Sequence, residues 1–503
     1  MATEPDSAYP KAAAWLVLLV LVSSAAAAGT VFVLRTPTVP HDCEQDQYFL
    51  AADKLICGEE RLIQSTVGPV VPWLIAILGI PLGSTYLAGR LLNVLAGALL
   101  LGLVYHAGRV HGRAISAGLL AAGLLLLVPD FLFYGTLACT DVPAALLMLL
   151  SLHFAISSHS SPEHLWRPGL AGLVAMLACL TRHQAYPFAA GLGLSLVLAN
   201  PIPWKARLKS LALFACGFIG LAVLYVVVAD LILSVPPAKA LDLGPAALRG
   251  ISLLRKKVLM GYGYSLGLIA LSLGLMLPLA VVSALGLLSN ARSRSKTCAA
   301  LLPAVAYFLG VAWFPRSPNT DLRRLFLILV PMAAVFISLA ALGLLRKIVK
   351  KKWRVAALPL FAVVLFFAGK ETAADATRLF DRVIVSTQST REMEAARVFK
   401  EKERPGCAPV LTPTLAAGTV FTQYHHVDWG NTPFTLEWPA QAIKETISGA
   451  PPRFVMVPDD ADKNLLAVDV PFGTDGRYRL KKMYSINGFV FYKVSANDPS
   501  SIQ

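Results

Sequence analysis

Residues 86–108 read YLAGRLLNVLAGALLLGLVYHAG. A helix needs about 20 mainly apolar residues to cross the hydrocarbon core of a bilayer, and this stretch supplies them. Arg90 stands at its start, and Arg109 and Arg113 follow its end. Working outward, similar stretches recur along the first three-quarters of the chain. Candidate spans cover 13–35, 86–108, 114–130, 142–158, 168–182, 185–200, 209–234, 264–288, 298–314, 324–345 and 354–369, about eleven in all. The bulk composition agrees. Of 503 residues, 56% are hydrophobic and only 15% are charged, whereas soluble domains are about a quarter charged.

The net charge of +15 does not point to nucleic acid, because no basic stripe with interleaved aromatics appears. The cations instead collect in alternate connections: Arg109 and Arg113; Arg167; Lys205, Arg207 and Lys209; Arg292, Arg294 and Lys296; and the run from Arg346 to Arg354. The positive-inside rule places those loops in the cytosol, with the N-terminus inside and the chain beyond residue 370 outside. The expected location is thus the plasma (inner) membrane, with a periplasmic or extracellular C-terminal domain. Residues 1–35 read as the first span rather than a cleavable signal, since the apolar run continues through Val31, Phe32 and Val33.

Residues 67–82 break the alternation. They hold three prolines and two glycines (VGPVVPWLIAILGIPL), and counting them as a span would put Arg109 and Arg113 outside. They read as an interfacial or re-entrant helix in a first outer loop, 36–85, after a surface helix over 47–56. The fold class expected is a polytopic α-helical membrane domain, 1–369, with a small α/β exoplasmic domain, 370–503. In the latter, Val410–Leu411 starts a short strand and Arg453–Val457 forms another. Residues 478–494 read as a hairpin turning at Asn487-Gly488. No CxxC pair suggests zinc. Cys43 and Cys57 share the first outer loop, either as a disulfide or as two free thiols.

Ionisable residues at membrane depth are costly, so their placement carries information. Asp42, Glu44 and Asp46 fall just past the first span. Asp141 lies at the outer end of the fourth and Arg182 with His183 at that of the fifth. Arg316, Arg323 and Arg324 lie at the tenth, Arg90 at the second, and Lys239, Arg249, Arg255, Lys256 and Lys257 in the loop after the seventh. The positive-inside rule predicts few cations on that outer face, yet many gather there, which points to an anionic ligand. Arginine suits phosphate through its planar fork. A carboxylate beside a phosphate site suits sugar transfer, acting as general base on an acceptor hydroxyl. The bland alternatives are a solvated acidic loop, Asp141 as a helix cap, arginines snorkelling to headgroups, and His183 in a structural role.

Four patterns carry a resemblance. They are EQDQYFLAADKLICG (Glu44–Gly58), CTDVP (Cys139–Pro143), LTRHQ (Leu180–Gln184) and LRRLFLILVP (Leu322–Pro331). Together they resemble the polytopic glycosyltransferases of the C-type fold, which use polyprenyl- or dolichyl-phosphate sugars. The chain is similar to the family's bacterial aminoarabinose transferases and protein-mannosyltransferase-like members. The resemblance implies an inverting transfer to a lipid or glycan acceptor, with a first-loop acid as base. Gln45 replaces the family's second acid, so Glu44, Asp46 and Asp42 all stand as candidates. Asp141 would orient the acceptor or, with Glu44, help hold a divalent cation such as Mg, Mn or Zn. Arg182, Arg324, Arg323, Arg90, His183, Tyr48 and Lys256 would bind the donor phosphate. The rival classes are a multi-pass transporter or lipid flippase, whose charges would sit at the midplane of duplicated halves, and a non-catalytic scaffold presenting the tail.

Overall fold

The computed structural model describes residues 8–36, 48–57, 68–160, 164–199, 202–233, 276–313, 327–348, 370, 374–375, 377–378, 387–405, 408, 410–412, 424–426, 453–459 and 478–496. Asp42, Cys43, Glu44, Asp46, Lys256, Arg323, Arg324 and the expected span 354–369 lie outside the described residues. The helices are α1 (Ala8–Arg35), α2 (Phe49–Ile56), α3 (Val70–Leu82), α4 (Thr85–Gly112), α5 (Ile115–Leu126), α6 (Pro129–Tyr134), α7 (Asp141–Ser160), α8 (Trp166–Thr181), α9 (Tyr186–Leu198), α10 (Trp204–Leu233), α11 (Met276–Ser289), α12 (Ala291–Trp313), α13 (Val330–Ile348) and α14 (Thr387–Glu403). The strands are β1 (Val410–Thr412), β2 (Tyr424–His426), β3 (Phe454–Pro458), β4 (Tyr478–Ile486) and β5 (Phe489–Ala496).

Two compact units result. The first comprises 1–33, 60–74 and 89–380; the second comprises 34–59, 75–88 and 381–503. The expected cut at residue 370 follows composition. Packing groups 34–59 and 75–88 with the chain beyond residue 380.

The first unit is a helical membrane body. Among the described residues, Ala12–Arg35, Thr85–Gly112, Asp141–Ser158 and Trp204–Val228 are long and apolar enough to cross a bilayer. Burial sorts them: 67% of the α4 and α7 windows is buried against 6% for α1 and α10. The first two are therefore central. The last two present residues such as Trp15, Leu19, Ile219 and Val223 outward, as lipid-facing helices do. Without a hydrophobic force between helices in lipid, small residues permit close backbone approach. Helices α8 and α10 use this: a Cβ at Gly172 would strike the Phe214 carbonyl, and one at Gly217 would strike that of Gly169. Helix α3 has 13 residues, a length of roughly 20 Å, so it does not span a hydrocarbon core alone. This matches the reading of 67–82 as something other than a full span.

In the second unit the sheet order is β2-β1-β3-β5-β4. β1 runs parallel to β2 and β3, while β5 is antiparallel to β3 and β4. The β4–β5 hairpin turns on Asn487 and Gly488 at φ 51° and 85°, the positive values that the Asn-Gly pair predicts. Helix α14 packs on the sheet through Phe399, which stacks on Phe491 at 4.3 Å and meets Phe454 edge-on at 5.3 Å. Phe49 of α2 and Tyr86, with rings 5.5 Å apart, complete the same core. Cys57, which caps α2, is disulfide-bonded. Cys139, Cys179, Cys216 and Cys298 are free.

Asp53 of α2 is fully buried in this unit. Burial pushes its carboxyl up to about 8, against the smaller opposing pulls of the Thr85 side chain and the Lys400 charge. Lys400 is shifted down by its own burial, with Asp53 opposing, and its Nζ donates to the Gly83 carbonyl at 3.3 Å. Because the folded acid binds its proton more tightly than the unfolded one, this group's contribution is complete below the ordinary carboxylate range. It is lost progressively as pH rises towards 8. Asp53→Asn, which keeps the shape of the protonated acid, is expected to raise the melting temperature at pH 8 by about 2–4 °C and to leave it unchanged at pH 4. Thermal unfolding across that range checks it.

Candidate active site

The described part of the site begins where α7 starts. Thr140 and Asp141 precede Val142-Pro143, and a proline in the first turn suits a helix start. Asp141 therefore stands at the positive end of the helix dipole. Its carboxylate is not simply a cap, because it is fully buried and pairs with Arg182, Nη1 to Oδ1, at 2.5 Å. The same Nη1 donates to Thr140 Oγ1 at 3.2 Å.

Arg182 sits where α8 ends. Its amide donates to the Ala178 carbonyl at 2.8 Å, but its own backbone is extended at φ −153° and ψ 118°. A 3-10 turn, His183–Ala185, then leads into α9, whose Pro187 lies in the first turn. This break between two helices sends the guanidinium towards the start of α7. Arg182 is 5% exposed, so it is not snorkelling to headgroups. Placing two charges in a dry interior is offset only when their geometry is good, and removing either partner then costs about 3–5 kcal/mol.

A second arginine fixes the segment before Asp141. Arg90 on α4 is 3% exposed. Its Nε donates to the Thr136 carbonyl at 3.1 Å and its Nη1 to that of Val33 at 3.4 Å. Asn93, one turn further along α4, donates through Nδ2 to the Leu137 carbonyl and, at 2.8 Å, to that of Cys139. Arg90 and Asn93 thus stitch residues 136–139 to α4 and set where Asp141 begins α7. Asn93 was not among the sequence candidates. Its signal was available: a polar side chain inside an apolar span, three residues from Arg90 and so on the same helical face.

The α8 end is also pressed by residue 68. A Cβ there would collide with the Leu180 carbonyl and lie 2.6 Å from the Thr181 carbonyl carbon, backbone that has no slack to yield. Gly68→Val is expected to cost about 1–3 kcal/mol through overpacking and to move Arg182 off Asp141. A lowered melting temperature together with reduced transfer activity would show both effects.

The structure therefore brings together Asp141 and Arg182 directly, with Arg90 joined through the 136–139 segment. His183 is partly buried in the following turn, its ring 6.4 Å from that of Tyr186. Tyr48 is buried at the start of α2 and belongs to the second unit. Glu44, Asp46, Asp42, Arg323, Arg324 and Lys256 fall outside the described residues. Among the described residues no group of three His, Cys, Asp or Glu side chains could hold a metal ion. Asp141, one of the two expected metal ligands, has a guanidinium against its carboxylate, so a divalent cation there would meet like charge.

Residues 66–229 match the family model described as dolichyl-phosphate-mannose-protein mannosyltransferase. No curated protein sequence matches the chain significantly. Among solved structures, ArnT from Cupriavidus metallidurans bound to undecaprenyl phosphate is similar at TM-score 0.59 and 14% identity, covering 97% of this chain and 98% of its own. The Archaeoglobus fulgidus oligosaccharyltransferase in complex with Zn and sulfate is similar at TM-score 0.55 and 16% identity, covering 94% of this chain and 73% of its own. The archaeal oligosaccharyltransferase AglB from Archaeoglobus fulgidus, in complex with an inhibitory peptide and a dolichol-phosphate, gives TM-score 0.51 and 14% identity, covering 99% of this chain and 75% of its own. The polytopic fold implied by the sequence resemblance is the fold found.

Proposed function

We propose that this chain is a membrane glycosyltransferase of the C type and that it moves a sugar from a polyprenyl-phosphate carrier to a lipid or glycan acceptor on the outer face of the membrane. The observation that carries the reading is the buried Asp141–Arg182 pair, held at one end of the helical body by α4. An arginine kept dry and aimed by a carboxylate is suited to a phosphate that develops charge as it leaves. The relatives bound to undecaprenyl phosphate and to a dolichol-phosphate support a carrier of that chemistry.

In the reaction, an acceptor hydroxyl oxygen attacks the anomeric carbon from the face opposite the phosphate. The sugar–phosphate C–O bond breaks, and the lipid phosphate leaves with the electron pair. A first-loop acid, Glu44, Asp46 or Asp42, takes the hydroxyl proton. Arg182, with Arg323, Arg324, His183, Lys256 and Tyr48 as further candidates, binds the phosphate. Arg90 acts by holding the 136–139 segment, and Asp141 holds Arg182. A divalent cation at Glu44 and Asp141 is the finer part of the sequence expectation, and no step here is routed through one. The outward orientation draws support from the cation-rich loops on the opposite side and from the disulfide at Cys57, a bond at home in an oxidising compartment.

The test is transfer of label from a radiolabelled polyprenyl-phosphate sugar by the purified full-length chain in liposomes with extracted envelope lipids as acceptors. Labelled product, lost with Arg182→Ala, supports the reading. Translocation of a fluorescent polyprenyl phosphate across the liposome with no labelled product would instead favour the flippase.

A further inference from the structure

A cavity of about 580 Å³ opens among α4, α7, α11, α12 and α13, within the range of small-ligand sites, about 300–1,000 Å³. It lies far from the Asp141–Arg182 pair. His153, which lines it, is twelve residues along α7 from Asp141, roughly 18 Å at helical rise. The cavity has a basic end made by Arg113 and Lys296, with the neutral imidazoles of His111 and His153 beside them as hydrogen-bonding groups, and no carboxylate lines it among the described residues. Its walls are apolar, formed by Leu149, Leu152, Met332, Phe336 and Leu339.

Three further observations bear on the cationic end. The α12 N-terminus opens there, with Ser293, Lys296 and Thr297 from its first two turns in the lining, and a helix N-terminus favours anions. Arg113 closes α4 at φ 51°, a left-handed position that glycine would occupy at lower cost. His153 Nδ1 is buried with no hydrogen-bond partner among the described residues.

We propose that this cavity is a binding site for an anionic phospholipid, with the phosphate at Arg113, Lys296, His111 and His153 and an acyl chain along the Leu149–Met332–Phe336 walls. A free phosphate shares the headgroup chemistry but leaves the apolar walls unused, which is why the amphiphile is preferred. These same loops carry the cation excess, so the lipid would come from the cytosolic leaflet. The proposal does not depend on the transferase reading.

Native mass spectrometry of the delipidated full-length chain, titrated with phosphatidylglycerol or phosphatidylcholine, tests it. Phosphatidylglycerol is expected to bind at least about tenfold more tightly, because both lipids carry the phosphodiester but the choline cation of phosphatidylcholine meets Arg113 and Lys296 as like charge. The Arg113→Gln, Lys296→Gln double variant should erase that preference. Gly343→Leu provides a second variant that folds independently of these charges. A Cβ at Gly343 meets nothing within 4 Å and the residue lines the cavity, so the leucine narrows the chain slot while raising helix propensity. It should weaken both lipids without lowering the melting temperature. Equal binding of the two lipids by the unaltered chain would overturn the proposal. So would displacement of phosphatidylglycerol by millimolar inorganic phosphate, since the occupant would then be a soluble anion.

Discussion

Arg182→Ala is expected to reduce sugar transfer by about 10²–10³-fold, the usual effect of removing one donor that stabilises developing negative charge. The fall should appear in kcat more than in KM if the guanidinium acts on the leaving phosphate. Folding is a competing cause, because the substitution leaves Asp141 buried without its 2.5 Å partner, at a cost of about 3–5 kcal/mol. The double variant Asp141→Asn, Arg182→Gln separates the two. Neutral amides of similar size should recover much of the melting temperature, since no lone charge is left in the interior. They should not recover transfer. A double variant that regained full activity would reduce the pair to a structural bridge.

Alanine at each of Glu44, Asp46 and Asp42 in turn is expected to abolish transfer in one case and leave the other two near normal. General-base assistance contributes about 10²–10⁴-fold, so the responsible acid should stand apart clearly in a radiolabelled transfer assay. Expression and melting temperature should stay normal in all three. Three fully active variants would remove the base from the first outer loop. Gln45 stands where the sequence resemblance implies an acid, so the outcome shows which neighbour serves as base.

Much of the membrane body was legible in the sequence because apolar length alone specifies a span. The 86–108 stretch became α4 with its ends extended by one and four residues. Where the boundaries moved further, the reason is physical. Helix α12 starts at Ala291 rather than 298, and α10 at Trp204 rather than 209. In both, a basic turn continues the helix beyond its apolar part, and hydropathy marks where lipid ends, not where helical hydrogen bonding ends. The hairpin was legible because Asn-Gly encodes positive φ locally.

The site was legible in part. Asp141 and Arg182 stood out as charges at span ends, but nothing in the sequence marks them as partners; their pairing is seen only where the start of α7 meets the end of α8. Asn93 escaped because one amide in a long apolar run resembles noise until its two carbonyl partners are seen. The sharing of one core by Phe49, Tyr86 and Phe399 has no local signature, since Phe399 lies hundreds of residues from the other two. Asp53 was hidden likewise. In the sequence it is the acidic residue of a short amphipathic helix expected to lie on a surface, and only the packing of Thr85 and Lys400 around it shows that it is buried.

A density map of the full-length chain with a non-hydrolysable polyprenyl-phosphate sugar bound is the most direct test. It should show the phosphate within hydrogen-bond distance, about 3 Å, of the Arg182 guanidinium, and the anomeric carbon facing one of Glu44, Asp46 or Asp42. Phosphate density elsewhere, with the Asp141–Arg182 bridge undisturbed and no first-loop acid near the sugar, would contradict it.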